Sequence, residues 1–202
     1  MNLGEVAPGL WYWTAPHPAW HTACDWPEDV GCVCYRTNEA AVLIDPLLPH
    51  EDEEAFWQFV DGLQLPVEVL LTAPWHRRDA YRVADRCRTT VWAHEDAARR
   101  IDFPTRSDEL PPSVEAFVPD GDDEGQVAFH LPEHETLVVA EFFVGTDDGL
   151  KLNPSPALRD HDAFHRSIRK LLDLPIERVL VAHGPPAFAD GRRRLEEALA
   201  AA

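Results

Sequence analysis

Three apolar runs in this 202-residue chain end on side chains that can bind a metal ion or move a proton. Ala41-Val42-Leu43-Ile44 leads into Asp45, Leu137-Val138-Val139-Ala140 into Glu141, and Arg178-Val179-Leu180-Val181-Ala182 into His183. A fourth run, Val67 to Thr72, is followed within a few residues by His76 and Asp79. Residues apolar at successive positions read as strands buried on both faces. The polar groups then stand at strand ends, where α/β proteins build their sites. Imidazoles and carboxylates are ligands of zinc, and a carboxylate-rich set also suits manganese or iron. Glu141 carries the sharpest constraint, because an ionised carboxylate beside four apolar residues needs a metal or an arginine as partner. Asp45 is placed either to orient a neighbouring group or to cap local backbone.

Alternating strands and helices must hold these ends together. Gly31–Thr37 and Ala40–Asp45 read as a hairpin, Glu51–Leu63 as a helix with an acidic first turn, and Val67–Thr72 as a buried strand. Arg78–Arg88 is expected to be helical, Thr90–Ala93 a strand, and His94–Arg100 the start of a helix. Residues 102–113 are expected to be a loop. Strands are expected at Val114–Val118 and Gln126–Leu131, with Leu137–Val144 as one antiparallel partner. Gly145–Pro156 reads as a loop. Helix His161–Leu172, strand Arg178–Ala182 and helix Gly191–Ala201 complete the order, which favours an α/β sheet architecture in one domain spanning 1–202.

Charge narrows the function classes. The chain carries a formal −18, and residues 1–70 and 109–150 each carry −11. No basic stripe exists, so neither nucleic acid nor an anionic membrane is an expected partner. No run approaches the ~18 apolar residues of a membrane helix. The start lacks a basic leader region, so the expected location is cytoplasmic, with Cys24, Cys32, Cys34 and Cys87 reduced. Four of the seven tryptophans fall in the first 26 residues, beside His17 and His21. They read as cover for a sheet edge, or as an aromatic lid over a small-molecule pocket. His94, His161 and His165 read as cap or surface residues. Cys24 has no base beside it to make it a nucleophile.

In order and spacing the chain resembles the metallo-β-lactamase superfamily. The segments that carry the resemblance are Val42-Leu43-Ile44-Asp45-Pro46, Leu70-Leu71-Thr72, Val91 to Ala97, the span Pro119 to Glu141 with its Leu131-Pro132-Glu133-His134, and His183-Gly184-Pro185. They run from about Gly9 to Pro186. The resemblance implies an αββα sandwich, two mixed sheets packed between helices. It implies hydrolysis of a small ester, thioester, amide or phosphoester. The family's His-x-His-x-Asp-His ligands to two metals would fall on Ala73, Trp75, Arg77 and Arg78, none of which matches. The hairpin histidine falls on Asp122 and the bridging aspartate on Glu141, while His183 keeps its type.

Two readings of the site follow. In one, His76, Asp79, Asp122, Glu141 and His183 hold one divalent metal, with Asp79 or Glu141 as the acid or base and Arg77 or Arg78 holding an anionic part of the substrate. In the other, the metal is gone, Arg77 and Arg78 pair with Asp122 and Glu141, and the cleft binds a small anionic ligand or partner without turnover. Two permanent positive charges at a cation site tip the balance slightly toward the metal-free form. Poor hydrolysis of generic β-lactams, lactones and phosphodiesters is expected in either case.

Overall fold

The computed structural model describes residues 3–154 and 158–201. Its first sheet has seven strands in sequence order: β1 (Gly4–Ala7), β2 (Leu10–Pro16), β3 (Asp29–Arg36), β4 (Ala41–Ile44), β5 (Val67–Leu70), β6 (Val91–Trp92) and β7 (Thr105–Arg106). The first four pair antiparallel, and β4 to β7 run parallel. The parallel crossovers carry α1 (Glu53–Gly62), α2 (Ala80–Cys87) and the short α3 (Glu95–Ala98). The second half supplies β8 (Glu115–Phe117), β9 (Ala128–Leu131), β10 (Thr136–Val139), a separate hairpin of β11 (Phe143–Thr146) and β12 (Gly149–Leu152), and β13 (Arg178–Val181). The second sheet has the order β13-β10-β9-β8, with β13 parallel to β10. Helices α4 (His161–Ile168) and α5 (Gly191–Ala200) cover it.

Alternation along the strands produces the layers. In β4, Ala41 and Leu43 face α1 and α2, packing with Phe56, Val60 and Val83. Val42 and Ile44 face the other way, into an inter-sheet layer with Leu70, Trp92, Phe129, Val138 and Leu180. In β10, Leu137 and Val139 turn outward against Phe164, Ile168 and Leu195. Helices therefore cover both outer faces of two stacked sheets, an αββα sandwich. Burying each large apolar side chain contributes about 1.5–3 kcal/mol. No helix among the described residues is long and apolar enough to cross a membrane.

The sheets are stitched together beside the polar strand ends. Gly31 N donates to Ala182 O at 2.8 Å, and Val30 bridges His183. A Cβ at Gly31 would lie 2.3 Å from Val181 O, so only glycine admits this approach.

Five elements differ from the sequence reading, the first being β7 (Thr105–Arg106), which pairs with β6 inside the expected loop 102–113. The tryptophan-rich start forms β1 and β2, with Trp13 buried against Phe56 and Trp11 edge-on to Phe59. The run Leu137–Val144 is not one strand. After Val139 the chain leaves the sheet through Ala140, Glu141 and Phe142, and Phe142 O accepts from Asn153 N. Within the expected loop 145–156, residues 149–152 pair back as β12; Ser155 and Pro156 lie outside the described residues. The helix after β5 begins at Ala80, because Pro74 opens a 3-10 turn over Pro74–Arg77 first.

Candidate metal centre

The site assembles outward from Asp45, just past β4. Asp45 N still bonds Leu70 O, and a left-handed backbone (φ 50°), which aspartate tolerates, turns the chain toward Pro46. Its buried carboxylate accepts Thr72 N at 2.8 Å, the Thr72 hydroxyl, and His76 Nδ1 at 2.9 Å. The 3-10 turn that follows β5 thus presents His76 with one ring nitrogen held and Nε2 free to face the cleft. Glu141 and His183 arrive from the ends of β10 and β13. Glu141 Oε1 lies 3.0 Å from His76 Nε2, 3.0 Å from His183 Nε2 and 3.2 Å from the Trp75 indole nitrogen. Two further contacts hold the Glu141 backbone: its N–H donates to Gln126 Oε1 (3.3 Å), and its carbonyl accepts from Asn153 Nδ2 (3.2 Å).

The electrostatics follow from these contacts. Burial opposes charge on all three central groups. Against it, the charges and hydrogen bonds of the His76–Asp45 pair, with Arg78 and Thr72 beside Asp45, hold the Asp45 carboxyl below its usual value. Burial and Arg78 oppose the His76 imidazolium, but Asp45 and Glu141 hold its pKa above the ordinary histidine value. Hydrogen bonds from His183 and His76 outweigh burial at Glu141 and hold it far below the carboxylate range. With both nitrogens of His76 facing carboxylates, the imidazolium form is favoured.

Among the described residues, one group of potential ligand atoms converges: His76, Glu141 and His183, within 4.8 Å of one another. Two imidazole nitrogens and one carboxylate oxygen are the donor set of one-metal zinc, iron or manganese centres with open positions. Asp45 on the far nitrogen of His76 is the outer carboxylate such ligands carry. These residues fit one divalent ion.

The other expected site residues are employed elsewhere. Asp79 lies just past the 3-10 turn, but its Oδ2 accepts Leu48 N (2.9 Å) and its Oδ1 accepts from Arg82 (3.3 Å), tying down the loop after β4. Asp122 accepts Glu124 N (3.0 Å) and Gln126 N (3.1 Å), the local capture that aspartate makes in turns. It supports the loop bearing Gln126 and is absent from the ligand group. Neither arginine pairs with Asp122 or Glu141. Arg77 points outward to Asp102 at 3.0 Å. Arg78 takes an unusual φ of 35° and spends Nη1 on Gly31 O (2.7 Å) and Asp45 O (2.8 Å), clamping the ends of β3 and β4. Glu141 is therefore partnered by imidazoles, and the arginine-paired arrangement is not formed.

Above the cluster lies a cleft of about 260 Å³ walled by His17, Trp26, Val30, Trp75 and Arg78. Trp26 covers His183 with ring centroids 5.4 Å apart, and Trp75, 39% exposed, forms the rim. Sequence reasoning passed over Thr72 and Trp75. The available signal was Pro74, which starts a turn and fixes the directions of the next two residues. Larger surface hollows of about 480 Å³ beside Arg194 and about 460 Å³ beside Arg36 contain no comparable ligand group.

No family model matches the chain, and no curated protein does. Solved structures do match. A metallo-β-lactamase from Erythrobacter litoralis, with β-mercaptoethanol in its active site, aligns over 98% of this chain and 94% of its own, with TM-score 0.74 and 16% identity. A metallo-β-lactamase from Pontibacter korlensis aligns over 98% and 97%, with TM-score 0.72 and 19% identity. A metallo-β-lactamase family protein from Thermus thermophilus covers 98% of this chain and 80% of its own, with TM-score 0.64 and 18% identity. The fold is that of the metallo-β-lactamases, as the sequence motifs implied.

Proposed function

We propose that this chain is a hydrolase built around one divalent metal ion and acting on small acyl compounds: esters, thioesters or amides. The observation that carries the reading is the convergence of His76 Nε2, Glu141 Oε1 and His183 Nε2 at strand ends, backed by Asp45. Zinc, manganese or iron held by His76, Glu141 and His183 would supply Lewis acidity toward water and the acyl carbonyl. Asp45 fixes which nitrogen of His76 faces the ion. Trp26, Val30 and Trp75 form a largely apolar enclosure that holds the acyl group and limits bulk water. Arg77 is turned away to Asp102, while Arg78 lines the cleft with Nη1 on two main-chain carbonyls and its buried Nη2 without a partner among the described residues, so an anionic part of the substrate would meet Arg78.

The test is metal analysis of protein loaded separately with zinc, manganese and ferrous iron and then dialysed, followed by assays on nitrophenyl acetate, a short acyl thioester and an anilide. One equivalent retained by the wild type, lost in His183→Ala together with turnover, is expected. No retained metal, or turnover unchanged in His183→Ala, overturns the proposal.

A further inference from the structure

The loop after β2 brings a third imidazole to the cleft. His17 N donates to Glu28 O (2.9 Å), and the Trp20 indole donates to Trp26 O (2.9 Å), so the loop is closed upon itself. The His17 ring meets Trp26 edge-on at 5.2 Å, and Trp26 in turn covers His183. His17 Nδ1 accepts the Ala19 N–H at 3.2 Å. A nitrogen that accepts carries no proton, so the neutral ring has its hydrogen on Nε2. Among the described residues, no partner takes that hydrogen. Burial lowers the His17 pKa below 6.5, and the positive charges of Arg78, His76 and His183 lower it further against the opposing Asp79. The neutral form of the ring is therefore favoured.

We propose that His17 is a catalytic residue whose Nε2–H donates a hydrogen bond to the carbonyl oxygen of the substrate, a role that rests on the acyl-hydrolase reading above. A neutral imidazole in this role polarises the carbonyl and stabilises the developing oxyanion without transferring its proton. The balance is that of simple hydrolysis. The water oxygen bonds to the acyl carbon, the bond from that carbon to the leaving oxygen, sulfur or nitrogen breaks, and one water hydrogen leaves with that atom. The other hydrogen remains with the carboxylic acid, and His17 begins and ends with Nε2–H. The substrate class is correspondingly narrowed to acyl carbonyl compounds small enough for a cleft of about 260 Å³.

The experiment uses full-length protein with ¹⁵N-labelled histidine and benzamide as an unreactive carbonyl probe. Long-range ¹H–¹⁵N spectra at pH 7 are expected to show His17 as the neutral Nε2–H tautomer, with its Nε2 resonance moved by benzamide. His17→Phe is expected to weaken benzamide binding about tenfold, the effect of one lost hydrogen bond, and His17→Gln, which keeps a side-chain donor, to stay within about threefold of wild type. Zinc stoichiometry should be equal in all three proteins. An Nδ1–H tautomer, an imidazolium at pH 7, no binding of benzamide to wild type, or undiminished binding to His17→Phe overturns the proposal. Loss of zinc from the wild type itself strikes the metal reading instead, and the tautomer and benzamide measurements still decide the role of His17.

Discussion

The ends of β10 and β13 and the turn after β5 meet in one cleft but supply it differently. Each of the two strands delivers one side chain, Glu141 or His183, directly after a buried apolar run. The segment 74–79 offers four polar or charged groups and contributes one of them, His76, to the ligand group. Arg77 goes to Asp102, Arg78 to two backbone carbonyls and Asp79 to Leu48 N. Just past the strands, the Glu141 backbone is held by the Gln126 and Asn153 side chains and the His183 backbone by Val30 and Gly145, so each side chain is aimed by a main chain fixed on both sides. A one-turn segment is aimed by whichever neighbours its side chains capture, and those neighbours come from distant parts of the chain.

The largest effect should follow from removing the group on which both regions lean. Asp45→Ala leaves Thr72 N and the His76 imidazolium without their buried acceptor. In metal-free protein it should cost about 3–5 kcal/mol by urea unfolding, as breaking a buried charge pair does. A loss below about 1 kcal/mol would show that His76 is held by the turn alone. Glu141→Ala removes the acceptor shared by two imidazoles and one indole and should cost about 1.5–3 kcal/mol, the range for charged hydrogen bonds. Glu141→Gln should cost less, since it preserves shape and one acceptor. In zinc-loaded protein both Glu141 variants should lose metal on dialysis, and EDTA should destabilise only the wild type.

The same contrast explains what was legible in the sequence. The strands ending at Asp45, Glu141 and His183 are plain because four successive apolar residues can only be covered on both faces. The layered fold followed from their order. Strand β2 was hidden because Trp11, Trp13 and Tyr12 look like an aromatic cluster, yet they alternate between the helix layer and the inter-sheet layer. The break after Val139 was hidden because Phe142, Phe143 and Val144 continue the apolar pattern. What ends the strand is the capture of Glu141 N by Gln126, fifteen residues away. His76 and Asp79 could not be ranked by spacing, since both lie one turn apart after the same strand. What sets their surroundings apart is Leu48 N, from another loop, which donates to the Asp79 carboxylate.

If loop carboxylates are structural and strand-end carboxylates form the site, Asp79→Asn and Asp122→Asn should leave zinc stoichiometry unchanged. Each should cost about 1 kcal/mol by weakening acceptance of backbone N–H groups. Loss of zinc in Asp79→Asn would return Asp79 to the site and erase the contrast.

The smallest and most discriminating effect is the pH dependence of the two carboxylates, which should have opposite signs. The Glu141 carboxyl is held below its ordinary 4.5 by the imidazoles, against burial. Its contribution to stability is present above pH 4.5 and lost as pH falls through the lower folded value. Burial raises the Asp122 carboxyl above its ordinary 3.8, despite the N–H groups of Glu124 and Gln126 and with Asp123 and Glu124 adding repulsion. Its ionisation is therefore harder in the folded state, so the relative advantage of the wild type is present below pH 3.8 and lost as pH rises through the higher folded value. In urea titrations of EDTA-treated protein between pH 3 and 6, wild type minus Glu141→Gln should increase with pH. Wild type minus Asp122→Asn should decrease over the same interval. Parallel slopes would mean that the two carboxylates occupy equivalent environments, which their different hydrogen-bond partners forbid.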